Sequence, residues 1–242
     1  MKRFASVVLT LIVPAFMAGC GGGGGDGGDD GNDDSMQLVE CEDGVMATDD
    51  SFLPFTVGNT WVYRVTKDIN SPPEEKRQVY EVEEAPPGET ELAILQRTTK
   101  PEGTTVSWLR KDGNTIVRVR QEDYDQDGLL EQVTTYNPPR LRLDTTAERV
   151  SAGATFSETY TKVVTDAAGV ELSSIETTDA WTVVGADVPC MTGWGEELSC
   201  LQIRVERIVG GVANKEFFFA RGYGKVLETG GQSEELVGCA LQ

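Results

Sequence analysis

The stretch Asp123-Tyr-Asp125-Gln-Asp127-Gly128-Leu-Leu-Glu131 is where side-chain type and spacing come nearest to a chemical task. Carboxylates stand at positions one, three and five of a loop, with glycine at six and a further acid at nine. Calcium takes such oxygen ligands, and the glycine supplies the sharp turn that folds them round one ion. A complete twelve-residue calcium loop ends on a bidentate glutamate. Here that position is Thr134, and the flanking residues read as strands. The expectation is a weak structural calcium site of Asp123, Asp125, Asp127 and Glu131, the last acting directly or through water. It would tighten a loop between two strands and take no catalytic part. The alternative is a solvated acidic hairpin loop in a chain already rich in acid.

Other chemistry is narrowed by what is missing. The 242 residues contain no histidine. That removes a Ser-His-Asp triad, a Cys-His pair, the usual zinc sites and histidine-ligated haem. Paired carboxylates or a Ser-Lys pair stay formally open, but no spacing points to either, so no catalytic residue is assigned and the chain is not expected to be an enzyme.

The five cysteines divide into one and four. Lys2 and Arg3 precede an apolar stretch from Phe4 to Met17, too short to span a bilayer, which leads into Met17-Ala-Gly-Cys20. This pattern resembles the lipobox of bacterial lipoproteins, with Met17 where leucine is usual. The resemblance implies that residues 1–19 are a lipoprotein signal peptide and that Cys20 carries a diacylglyceryl thioether at the mature N-terminus. It also implies a lipid-anchored, cell-envelope location. Gly21, not Asp, follows the cysteine, which by the lipoprotein-sorting rule implies the outer membrane if the cell has two. An even remainder outside the cytosol reads as two disulfides. Cys41, Cys190, Cys200 and Cys239 allow three pairings. Turn residues between Cys190 and Cys200 favour that pair, and Cys41–Cys239 follows by elimination. Neither spacing is Cys-x-x-Cys, so redox or metal work is not expected.

Between Gly21 and Ser35 the chain is glycine, aspartate and one asparagine. Such a segment buries nothing to offset its ordering entropy. Residues 20–51 are therefore expected to form the lipidated cysteine and a flexible tether, and 52–242 a single globular domain. Of 40 acids, ten precede Phe52, which leaves 30 against the 19 bases of that domain. This balance argues against nucleic acid, whose phosphates would be repelled, and against lying flat on anionic lipid. The membrane is expected as a partner only through the anchor.

From Phe52 onward, runs such as Trp61-Val-Tyr-Arg-Val-Thr-Lys67, Gln78–Glu83 and Ile116–Arg120 alternate apolar and polar residues. Pro86-Pro-Gly88, Pro101-Glu-Gly103 and Asp112-Gly113 punctuate them as turns. Asn137-Pro-Pro139 should stop one strand before a short one at Leu141–Leu143. Gly169–Thr177 and Trp181–Val184 read as two further strands. No segment shows a sustained 3.6-residue stripe. The fold class is all-β, mostly antiparallel because the connections are too short for helical crossovers. A curved sheet, half-barrel or open barrel is expected, with a β-sandwich as the alternative. There is also an internal echo: Gly58-Asn-Thr-Trp61 through Lys67 lines up with Gly153-Ala-Thr-Phe156 through Lys162.

The same residues carry a wider likeness. Leu53-Pro-Phe-Thr-Val-Gly-Asn-Thr-Trp61-Val-Tyr63, Trp181-Thr-Val-Val-Gly185, Cys200–Val205 and Phe218-Phe-Ala-Arg-Gly222-Tyr-Gly224-Lys-Val226 resemble the opening, later strands and close of many uncharacterised bacterial lipoproteins. That group implies no reaction. Trp61 and Tyr63 suit a core anchor and Gly222-x-Gly224 a tight turn. The function expected is a lipid-anchored binding or structural module of the envelope. Its partner would be an unidentified envelope protein or an apolar ligand. The alternatives are a carrier of an apolar ligand on a curved sheet and, less favoured, a carboxylate-dependent enzyme.

Overall fold

The computed structural model describes Cys41, residues 50–68 and residues 70–242. Twelve strands follow one another: β1 (Thr60–Thr66), β2 (Glu74–Glu84), β3 (Ala93–Lys100), β4 (Gly103–Asp112), β5 (Thr115–Tyr124) and β6 (Leu130–Asp144). After a longer connection come β7 (Thr155–Asp166), β8 (Glu171–Met191), β9 (Glu197–Val209), β10 (Asn214–Ala220), β11 (Gly224–Thr229) and β12 (Ser233–Ala240). Each pairs antiparallel with its chain neighbours, and β12 returns to β1, closing the sheet into a barrel. The fold is all-β, as the alternation and short connections predict. Closure gives every strand a neighbour on both sides, though β6 and β7 pair only between Gln132–Asn137 and Thr161–Asp166.

Two strand boundaries differ from expectation. Asn137-Pro-Pro139 does not end a strand: β6 runs through it. On β5, Arg118 faces Arg140 and Arg120 faces Thr135, so residues 136–139 bulge opposite Val119. Proline is tolerated at such a bulge because no ladder N–H is required of it. The two short strands expected between Gly169 and Val184 are one strand of 21 residues, β8, bent by register shifts at Thr178/Asp179 and on both sides of Gly185.

The segment ahead of β1 covers one end of the barrel. Ser51 accepts a backbone hydrogen bond from Gly222 at 2.9 Å, Arg221 lies over the Phe52 ring at 4.3 Å, and Leu53 packs against both larger apolar clusters. The two likeness motifs meet at this end: Trp61 Nε1 donates to the Tyr223 carbonyl at 2.6 Å. Cys41 is joined to Cys239 and Cys190 to Cys200, with Cα separations of 4.8 and 6.0 Å. The outer wall carries cross-strand ion pairs such as Arg64–Glu235, Arg97–Glu81 and Arg204–Glu216. They stand where a membrane-spanning barrel would carry its apolar band.

Candidate ligand cavity in the barrel

The acidic loop closes the β5–β6 hairpin. Asp125 Oδ1 accepts the backbone N–H groups of Asp127 and Leu129 at 2.9 and 2.8 Å, and Gly128 takes a φ of 77°. Asp123 points elsewhere, accepting from Thr105 Oγ1 at 2.8 Å and from the amides of Gln121 and Gln132. Asp127 and Glu131 are exposed. The structure thus does not gather the four carboxylates. Among the described residues, no three acidic, cysteine or histidine side chains are grouped to hold an ion. The β7–β8 turn explains the pattern. There Asp166 Oδ1 accepts from Ala168 and Val170, both at 2.9 Å, and Gly169 has a φ of 83°. Ala168 stands in Asp166-Ala-Ala-Gly169 where the acidic loop has Asp127, yet the hydrogen bonding is the same. The leading aspartate is a turn cap in both. Cys20 lies outside the described residues.

The functional candidate is inside. Positions on ten strands, with Leu53 of the covering segment, enclose a cavity of about 320 Å³ that reaches Ala213 in the β9–β10 turn. Roughly ten waters or one small organic molecule would fill it. Part of the wall is aromatic and aliphatic: Trp61, Leu109, Trp181, Val205, Phe217 and Phe219. The rest is ionic. Arg118, Arg140, Arg142, Arg207, Lys215 and Lys225 line the cavity, against only Asp179 and Glu228. A lining of valine, leucine and phenylalanine, which a carrier of an apolar ligand would present, is therefore only half the wall.

At one side Asp179, itself 1 % exposed, is held by three donors. Arg207 Nε donates to Oδ1 at 2.9 Å; Tyr160 Oη and an Arg140 guanidinium nitrogen donate to Oδ2 at 2.9 and 3.3 Å. Burial alone would raise this carboxyl, but the Arg207 and Tyr160 hydrogen bonds and the Arg140 charge hold it below its ordinary value. Across the cavity, Glu228 accepts from Lys215 and Lys225, and Glu234 from Lys225 and Lys76. Lys225 and Lys76 lie over the Tyr63 ring, 4.8 and 5.2 Å from its centroid. Burial opposes ionisation of Glu228 and Glu234, yet the lysines outweigh it and keep both carboxyls low. Burial and the neighbouring Lys225 push Lys76 down to about 7.

Two further arginines of the wall have no carboxylate in direct contact. No acid stands within 4 Å of Arg118 or Arg142 among the described residues; Arg118 donates to the Gln121 side chain. Burial, then Arg118 and Arg140, hold Arg142 down to about 10. Among the described residues, neither the hydroxyl of Tyr80, which has no exposed surface, nor the indole nitrogen of Trp181, 5 % exposed, has a hydrogen-bond partner. Both line the cavity.

None of these ionic residues stands out in the sequence, because strand alternation puts Arg118 and Arg120 on one face of Ile116-Val-Arg-Val-Arg120, as on an ordinary charged face. The bulge at Val119 separates them. Arg118 lines the cavity, while Arg120 packs over the Trp108 ring at 5.7 Å and pairs with Glu122. The available signal is the arginines at inward parity on β6 and β9, which is readable only once register is known.

No protein-family model matches the chain, and no curated protein matches it. One solved structure that it resembles belongs to a Bacteroides fragilis NCTC 9343 protein described as exported and as having a YmcC-like fold; the identity is 9 %, the TM-score 0.49, and the match covers 78 % of this chain and 98 % of that one.

Proposed function

We propose that this protein is a lipid-anchored, non-catalytic binding module of the cell envelope that takes a small molecule into its barrel. The observation that carries the reading is a closed barrel with an interior of about 320 Å³ where a scaffold alone would be filled by side chains. The acids of the wall support a binding role over a catalytic one. Asp179 and Glu228 are each committed to two cations, so they are fixed acceptors and not proton donors near neutral pH. The anchor rests on Met17-Ala-Gly-Cys20.

Two measurements test the two halves. In a bacterial host, Cys20→Ala should leave an uncleaved precursor or a soluble product; a variant processed and membrane-bound like the wild type rejects the anchor. Native mass spectrometry of the gently purified protein should show an added mass that unfolding releases. A protein that carries none, and whose melting temperature no small molecule moves, rejects the binding role.

A further inference from the structure

The charge inside the barrel runs against the charge of the chain. The protein carries a formal −19, yet six of the eight ionisable acid and base side chains on the cavity wall are cations. Both acids there are already shared between two bases, so among the described residues Arg118 and Arg142 have no carboxylate paired directly with them, and Glu228 reaches Arg142 only as a more distant charge. Burying like charges without a counter-ion is unfavourable, because their mutual repulsion adds to the loss of hydration. Tyr80 Oη and Trp181 Nε1 add desolvated donors that no group among the described residues satisfies. Arg118 and Arg142 both act on Tyr80 electrostatically, so the guanidinium groups and the hydroxyl belong to one neighbourhood. A guanidinium fork matches the two oxygens of a carboxylate or phosphate. Trp61, Trp181, Phe217 and Phe219 offer flat apolar surface within the same cavity.

We infer that the cavity is a binding site for a small organic anion: a carboxylate or phosphate held by Arg118, Arg142 and Tyr80, joined to an apolar body that packs on the tryptophan and phenylalanine side chains. This rests on the reading of the barrel as a binding module and names the class of ligand. Such a ligand supplies the counter-charge and acceptors that the fold leaves out, and by binding only the folded state it raises the melting temperature.

Isothermal titration calorimetry on the intact purified protein tests this, with phosphatidylcholine nanodiscs in place of detergent, which would itself compete. The probes are 4-phenylbutyrate, phenyl phosphate, the neutral 4-phenylbutanol and inorganic phosphate. One or both phenyl anions should bind at least tenfold more tightly than the alcohol and than inorganic phosphate, and their relative affinities tell a carboxylate site from a phosphate site. Arg142→Met and Arg118→Met should each lose at least tenfold for the anion, and Tyr80→Phe a few-fold, with no change for the alcohol. If the alcohol binds as tightly as the anions, the binding module stands and the anion assignment falls. If inorganic phosphate alone matches phenyl phosphate, the apolar half of the assignment falls. If no probe binds, the anion assignment falls, and the binding module is then decided by the native mass spectrum. Should an arginine variant not fold, the charged and neutral probes compared on the wild type still separate these outcomes.

Discussion

At the scale of single residues, Glu234 shows how the interior holds its charge. It is 3 % exposed and accepts from both Lys225 and Lys76. Its folded-state pKa lies below the ordinary 4.5, so its contribution is complete above about pH 4.5 and is lost as pH falls through that value toward the folded one. Lys76 has the opposite sense. Depressed from 10.5 to about 7, it binds fewer protons in the folded chain than in the unfolded one across that interval, so its contribution to stability rises with pH from about 7 to 10.5. Urea unfolding followed across pH separates the two. Glu234→Gln should cost about 3–5 kcal/mol at neutral pH, because it strands buried lysines, and should flatten the acid limb. Lys76→Met should remove the climb above pH 7 and keep the acid limb. An unchanged acid limb in Glu234→Gln would mean that this carboxylate is not held as described.

At the scale of elements, the covering segment and the two halves of the sheet explain what was and was not legible. Trp61 and Gly222-Tyr-Gly224 could be recognised as structural from type and spacing, and they meet at the covered end. The echo between Gly58 and Gly153 also has a structural counterpart. β1 and β7 begin at the equivalent Thr60 and Thr155; Gly58 N–H donates to the Tyr80 carbonyl at 2.7 Å, and Gly153 N–H to the Val183 carbonyl at 2.8 Å. The reverse bonds, Tyr80 to Asn59 and Val183 to Ala154, are both 2.9 Å. Each begins one run of six strands. Bulges are not legible: a two-residue period carries no mark of where an extra residue flips the inward face, and it is the flip at Val119 that parts Arg118, inside the cavity, from Arg120. The acidic loop misled because acids at alternating positions suit both an ion and an exposed turn, and only the backbone donors around Asp125 and Asp166 tell them apart. The bond from Cys41, ahead of the covering segment, to Cys239 in β12 spans 198 residues of sequence. On the chain-entropy account, Cys41→Ser/Cys239→Ser should lower the unfolding free energy by about 2–5 kcal/mol. Far-ultraviolet circular dichroism should stay that of a β protein, since Phe52 and Leu53 still pack against the strands; loss of the β spectrum at room temperature would show that the disulfide, and not this packing, holds the covered end shut.

At the scale of the whole molecule, an anionic shell surrounds a cationic cavity, and the two act on different steps of binding. Capture of an anion from solution begins against the field of a protein with a formal charge of −19, so at low salt encounter is slowed by long-range repulsion. Once inside, the ligand meets guanidinium groups in a partly enclosed space where mobile ions screen poorly. Raising ionic strength from about 0.01 to 0.15 M shortens the screening length from roughly 30 to 8 Å. That removes most of the repulsion outside and little of the attraction within. The association rate of the preferred phenyl anion, followed by stopped-flow tryptophan fluorescence from Trp61 and Trp181 on the cavity wall, should therefore rise several-fold over that range, with a smaller change in the dissociation rate. Electrostatically steered binding shows the reverse, a rate that falls steeply with salt. A falling rate here would place the entry path under a local positive field, at the Lys215 and Arg207 side of the cavity, strong enough to override the charge of the shell.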